Sequence, residues 1–298
     1  MSTFINPYTD FGFKKLFGEE ANKDLLADFL NQMLPPERQI ADLTFQNPDQ
    51  IPDLPKQRRS VFDVYCTAIT GEHFIVEMQK TPQEYFKDRS IYYSTFPVRS
   101  QAKRGKWDYE LAVIYLIAVL DFVYDDAGGS QKFYRDVTLK DQDGEVFYDK
   151  LHFKFLQMPL FDKSIEELET RFDKWCYFLK HLPDFDSIPA ILKEPIFEKA
   201  FESARLANLT VDQYEIYELE MKIYRDNINT MEYMLKQAVE KAVEKAVEEA
   251  TERATEKATE EATVNLVKNL IAAGMDDEFI HRTTGLSSER IAALRGSQ

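Results

Sequence analysis

The sequence predicts an α/β protein: a central mixed sheet flanked by helices, then an all-helical C-terminal region with one long helix. Three observations carry that prediction. Up to about residue 160, β-branched and aromatic runs bounded by Pro and Gly alternate with helix-period segments. Beyond Pro159 the strand pattern stops and helical spacing takes over. A four-residue repeat, AVEKAVEKAVEEATERATEKATEEAT, then fills Ala238 to Thr263.

Each element has its own signal. Asp10 to Leu34 reads as helical, with Phe13, Leu16, Phe17, Leu25, Leu26, Phe29 and Leu30 at helical spacing, and Pro35-Pro36 stops it. Asp42 to Gln46 reads as a short strand, followed by a loop marked by Pro48, Pro52 and Pro55. Ser60 to Ala68 and His73 to Gln79 are strand-like and joined by a short turn containing Gly71. Pro82 opens an aromatic-rich helix from about Gln83 to Arg104. Leu111 to Val123 is a continuous apolar run, as in a strand buried on both faces, and Val146 to Met158 supplies one or two more strands. Helices follow over Ile165 to Leu182, Ile196 to Leu206, and from near Val211 onwards. The pattern divides the chain into a core (1–160), a helical region (161–237), a spacer (238–263) and a tail (264–298).

A period of four advances the small apolar pair by about 40° around a helix at every repeat, so no fixed seam forms. The repeat therefore predicts a solvated helical spacer of roughly 40 Å rather than a long two-stranded coiled coil. In the tail, Leu266, Leu270 and Ile271 precede Gly274, and Phe279 and Ile280 precede Gly285. Gly285 suits a helix C-cap and Ser287 or Ser288 an N-cap. That is the outline of a small helix-turn-helix, which many helical hairpins share. Its last helix offers only Arg290 and Arg295 to a nucleic acid.

Composition narrows the function. The chain is 44% hydrophobic and 13% aromatic, enough for a substantial core. A formal charge of −15 argues against a general nucleic-acid coat. Lys56, Arg58 and Arg59, and Arg99, Lys103, Arg104 and Lys106, form local basic clusters; a solvated face is the plainer reading of either alone. No signal peptide and no bilayer-length apolar run is visible, and Cys66 and Cys176 lie far apart. A cytoplasmic protein with reduced thiols and no membrane association is the expectation. No P-loop, GxGxxG or GxSxG sequence occurs, so no nucleotide cofactor is expected.

The chemistry concentrates in the two strands around Gly71. A three-residue turn, Ile69 to Gly71, sets residues summing to 140 opposite one another, which brings Asp63 to face Glu77 with Cβ atoms ~5 Å apart. Val61, Asp63, Tyr65 and Thr67 share one face of the first strand, and Phe62, Val64, Cys66 and Ala68 the other. Two carboxylates that close repel unless a cation lies between them, and a hard divalent ion such as Mg²⁺ takes such oxygen ligands. The pattern alone also fits solvent-side residues of an ordinary antiparallel hairpin. Against that stand the apolar surroundings, VFDVYC and FIVEMQ, where unpaired acids are costly.

The opening TDFGFKKLFG, the segment NKDLLADFLNQMLP, VFDVYC, FIVEMQK and YFKDRSIYYS together resemble the Rpn family. Its members are described as recombination-promoting nucleases or transposases within the PD-(D/E)XK superfamily. The resemblance implies a PD-(D/E)XK restriction-endonuclease-like core and a metal-dependent DNA endonuclease, linked to recombination, transposition or defence. It makes Asp63 the strand acid and Glu77-Met78-Gln79 the (D/E)XK element, with Gln79 where the superfamily usually has Lys. Asp63, Glu77 and the Met78 main-chain carbonyl would hold Mg²⁺, with Mn²⁺ as a substitute, and Asp10 is the candidate for an additional acid. Lys80 or Arg89 could supply the charge that Gln79 lacks. Lys14, Lys80, Arg89 and Tyr93 are candidate DNA contacts, with solvated surface or aromatic packing as the alternatives. His73 shares the strand face of Glu77 but stands at the turn. A homodimer is expected because many nucleases that cut both strands pair. The alternative is a nuclease-fold DNA-binding or assembly protein that has lost its activity.

Overall fold

Thr9 starts the first helix. Its hydroxyl accepts a hydrogen bond from the Gly12 N–H and donates one to the Asn6 carbonyl, each at 2.9 Å. The resulting approach is so close that a Cβ on Gly12 would stand 2.1 Å from the Asn6 carbonyl oxygen. A computed structural model of the protein describes residues 2–47, 49–50, 60–82, 84–102, 108–124 and 132–296. In it the predicted N-terminal helix is two helices, α1 (Asp10–Phe17) and α2 (Lys23–Asn31). Gly18 caps α1 through its N–H to the Lys14 carbonyl at 2.7 Å, and the Asn22 amide holds the Lys15 carbonyl at 2.9 Å. Those bonds turn the chain where the apolar spacing alone suggests continuity.

Among the described residues the central sheet has six strands, in the order β1-β4-β5-β6-β8-β7. β1 is Leu43–Phe45, β4 Val64–Ala68, β5 His73–Gln79, β6 Ile114–Leu120, β7 Tyr134–Lys140 and β8 Val146–Gln157. A separate pair joins β2 (Asp49–Gln50) to β3 (Ser60–Val61). The middle strands β5, β6 and β8 run parallel; β1, β4 and β7 are antiparallel to their neighbours. Every residue of β6 is buried, as its unbroken apolar run predicts. Sequence reading misses β7, although Asp141 and Gly144 carry a hairpin signal. The Asp141 carboxylate accepts from the N–H groups of Asp143 and Glu145, and Gly144 has φ 85°.

Helix α3 (Phe86–Ser100) covers one face, burying Phe86 against Phe122 and Phe155. It is shorter than the predicted span of 83–104. The opposite face carries α1 and α2 together with α4 (Arg171–His181) and α5 (Pro195–Ala204). Trp175 lies between Phe17, Phe29, Phe178 and Phe197, with ring centroids 4.8–5.8 Å away. Helices α4 and α5 therefore complete the same core, and Cys66 and Cys176 are buried within it. The long helix α6 (Val211–Ala272) begins on this core too, burying Tyr217, whose hydroxyl accepts from the Asn6 N–H at 2.9 Å.

By its internal packing the chain divides into two units, Met1–Arg225 and Asp226–Gln298. In the second, the repeat is solvent-exposed, and its threonines 251, 255, 259 and 263 each donate to the carbonyl four residues back at 2.8 Å. Charge compensation runs at i,i+4 through Lys245–Glu249 and Arg253–Glu249. Helices α7 (Asp277–Thr284) and α8 (Ser288–Arg295) pack Ile280 and Ile291 on Val267 and Ile271. Gly285 at φ 72° makes the turn between them. Arg290 meets Glu260 at 3.3 Å and Arg295 meets Asp277 at 2.6 Å. Among the described residues no helix is long and apolar enough to cross a membrane. Lys56, Arg58, Arg59, Lys103, Arg104 and Lys106 lie outside the described residues.

Candidate active site

The β4–β5 register is the one the sum of 140 predicts, with Val64 opposite Val76 and Tyr65 opposite Ile75. The ladder ends one residue before the acid. Asp63 sits in a bend ahead of β4, where its Oδ2 accepts the Met78 N–H at 2.6 Å. Its own N–H reaches Glu77 Oε1 at 3.4 Å. A side chain thus takes over the pairing that a strand residue would make, and the two acids do not form a plain cross-strand pair. The same bend reverses Phe62, which joins Tyr65 on the α3 side and meets Tyr93 at 5.1 Å and Phe96 at 5.7 Å. Strict period-two reading put Phe62 with Val64.

Glu77 and Gln79 lie on the α3 face of β5, only 4% and 7% exposed. Gln79 Nε2 donates to Glu77 Oε2 at 2.9 Å, and Arg89 on α3 stands 3.5 Å from the same oxygen. The Arg89 guanidinium also lies over the Tyr93 ring at 5.1 Å. Across the bend, Asp10 in the first turn of α1 comes within hydrogen-bonding reach of Asp63 and holds Lys14 at 3.0 Å. The candidate additional acid is therefore beside Asp63.

Both central carboxyls hold their protons more tightly than ordinary acids do. For Asp63 the main cause is burial, with Asp10 adding negative charge; the Met78 N–H and Lys14 oppose the rise. For Glu77 burial again leads, followed by the charge of Asp63, with Arg89 and the bonds to Asp63 and Gln79 opposing it. Crowded, desolvated oxygen donors of this kind suit a hard divalent cation. Met78 adds a main-chain carbonyl, because the N–H and C=O of one strand residue leave on the same side. Among the described residues no three His, Cys, Asp or Glu side chains close into a cage. Mg²⁺ needs none, since it commonly takes one or two carboxylates and keeps several waters.

The model of one family, described as PD-(D/E)XK nuclease family transposase, matches residues 7–234. The chain belongs to that family. No curated protein and no solved structure matches it. The PD-(D/E)XK match covers the sheet, both helical layers and the start of α6, so α4 and α5 lie within the family's own extent.

The remaining candidates divide. Lys80 is half-buried directly after Gln79. Tyr93 is half-buried against Phe62, whereas Tyr85 and Tyr92 are exposed. His73 lies at the far end of β5, bonded to the Tyr65 hydroxyl at 2.9 Å. Lys15 pairs with Glu19 at 2.9 Å. Two residues on α6 escape sequence reading. Glu220 accepts the Phe11 N–H at 2.7 Å, and the Tyr224 hydroxyl donates to Asp121 at 3.1 Å, while the Asp121 N–H bonds the Gln79 carbonyl at 2.9 Å. Their partners are over a hundred residues away, and no local spacing signals such contacts.

Proposed function

We propose that the chain hydrolyses phosphodiester bonds in DNA, using Asp63 and Glu77 to bind a divalent cation, Mg²⁺ or Mn²⁺ in its place. The observation that carries this reading is two desolvated carboxylates, Asp63 and Glu77, brought together where β4 and β5 part, with Asp10 beside Asp63, inside a nuclease-family fold. When bound, such a metal supplies Lewis acidity and a water of lowered pKa. Asp63 and Glu77 would contribute carboxylate oxygens, Met78 its carbonyl, and Asp10 an additional acid. The Met78 N–H keeps Asp63 oriented. Gln79 can orient Glu77 or a water but brings no charge, and Arg89 is the cation placed to offset the developing negative charge. Lys14, Lys80 and Tyr93 are the proposed backbone contacts. Action in recombination, transposition or defence is part of the proposal, with the family's description as a transposase in support, and the proposed form is a cytoplasmic homodimer.

Plasmid cleavage with Mg²⁺ or Mn²⁺ tests this reading against the variants Asp63→Ala and Glu77→Ala. The expected result is metal-dependent cutting that both substitutions abolish. A second reading, a DNA-binding or assembly protein with an inactive core, draws on the neutral Gln79 and on the −15 charge. Metal titration separates the two. Failure of Mg²⁺ and Mn²⁺ to bind through Asp63 and Glu77, with DNA left intact, supports the second.

A further inference from the structure

On the opposite face of the sheet from Glu77, under the end of α2, lies a cavity of about 470 Å³ that the nuclease reading leaves unused. That volume falls within the range of roughly 300–1,000 Å³ typical of small-molecule sites. Its floor is built on β6, β8 and β7. The Lys154 ammonium, 3% exposed, bonds the Tyr134 hydroxyl at 3.0 Å and Asp136 at 2.6 Å. Beside it, Arg38 donates to the Tyr115 hydroxyl at 3.2 Å and stands 3.1 Å from His152 Nε2. The Tyr115 and His152 rings stack with centroids 4.7 Å apart.

The donors outnumber the acceptors. Both tyrosine hydroxyls accept from a cation, which leaves each O–H hydrogen to be offered to an incoming acceptor. Two permanent cations line the cavity; Arg38 is paired with Asp149 at 3.2 Å, outside the lining, and Asp136 is the carboxylate within it. A buried ammonium needs a counter-ion, and Asp136, 45% exposed, fills that role while remaining free to yield it. Apolar walls from Met33, Leu34 and Phe172 extend the space well beyond what an inorganic anion occupies.

We propose that this cavity binds a single nucleotide unit, with the phosphate displacing Asp136 from Lys154 and reaching Arg38, and the base against the aromatic and apolar walls. The unit is either a free mononucleotide or one nucleotide of a strand. The site is separate from the metal site and independent of cleavage.

Calorimetric titration of the full chain in chelator tests the proposal with dAMP, deoxyadenosine, inorganic phosphate and a short 5′-phosphorylated single strand. The expected result is binding of dAMP, of the strand, or of both, at least tenfold tighter than deoxyadenosine or inorganic phosphate. The arm that binds identifies the source. Lys154→Met, which keeps the buried stem, should weaken that binding at least tenfold, and Asp136→Asn should tighten it several-fold. Arg38→Gln, at a more exposed position, provides a second weakening variant should Lys154→Met not fold. Three outcomes overturn the proposal: no heat with any phosphate-bearing probe, deoxyadenosine binding as tightly as dAMP, or affinity unchanged by the Lys154 and Arg38 substitutions. Loss of dAMP binding in Glu77→Gln would assign the nucleotide to the nuclease site, and would overturn it as well.

Discussion

Glu77 is 4% exposed beside the charge of Asp63, so its ionised form is disfavoured in the metal-free fold. The consequence for stability has a definite sign. Between the ordinary carboxylate pKa of roughly 4 and the raised values, the folded chain binds more protons than the unfolded chain. Stability contributed by the two acids is complete below about pH 4 and declines as pH rises through that window. In chelator, the melting temperature should fall between about pH 5 and pH 8 by more than in an Asp63→Asn/Glu77→Gln double variant; equal slopes would refute the coupling. At about pH 8 the double variant should be more stable than the native chain by roughly 1–3 kcal/mol, the scale of an uncompensated buried polar group, with cleavage lost. Arg89 acts in the opposite sense, since its charge lowers the Glu77 pKa. Arg89→Met should therefore move the midpoint of Mg²⁺ binding to higher pH and cut cleavage by at least ~10-fold, the factor tied to about 1.4 kcal/mol. A midpoint that stays in place would leave Arg89 without a role at Glu77.

Helix α1 owes its position to a backbone approach that only glycine permits. A Cβ at Gly12 would meet the Asn6 carbonyl oxygen at 2.1 Å, and the Thr9 hydroxyl at 2.8 Å. Gly12→Ala must push α1 outward, and Asp10 and Lys14 with it, at a cost of roughly 1–3 kcal/mol by comparison with overpacked cores. Chemical denaturation checks the cost, and a loss of metal affinity larger than that of Thr9→Ala checks the displacement. Thr9→Ala removes only the cap, worth about 1 kcal/mol. The same part of the molecule separates what was legible in the sequence from what was not. The hairpin register followed from turn length, and the buried β6 from its unbroken apolar run, because both are local consequences of strand geometry. Gly12 stood in the motif, but its reason is a contact that no periodicity encodes. The bend at Phe62–Asp63 was hidden for a related reason. Alternation continues through it in the sequence, while the carboxylate of Asp63, by taking the Met78 N–H, ends the ladder.

At the level of the whole chain, composition suggested a boundary at residue 160, yet packing continues across it. Trp175 contacts Phe17 and Phe29, and the first turns of α6 return to Asn6 through Tyr217, to α1 through Glu220 and to Asp121 through Tyr224. Those three side chains satisfy the Asn6 N–H, the Phe11 N–H and Asp121, all close to Asp10 or Gln79 in sequence or by direct bond. A chain ending before Val211 loses all three partners. With each unmet buried group costing about 1–3 kcal/mol, it should unfold at a markedly lower temperature or aggregate. A chain ending at Met231 keeps the entire first unit, whose last residue is Arg225. It should melt with the native core and retain metal binding. Its mass in solution then locates assembly: a dimeric full chain that becomes monomeric at Met231 assigns pairing to the second unit, while a persistent dimer assigns it to the nuclease core. Loss of the melting transition at Met231 would show that residues beyond Arg225 stabilise the first unit, against the division by packing.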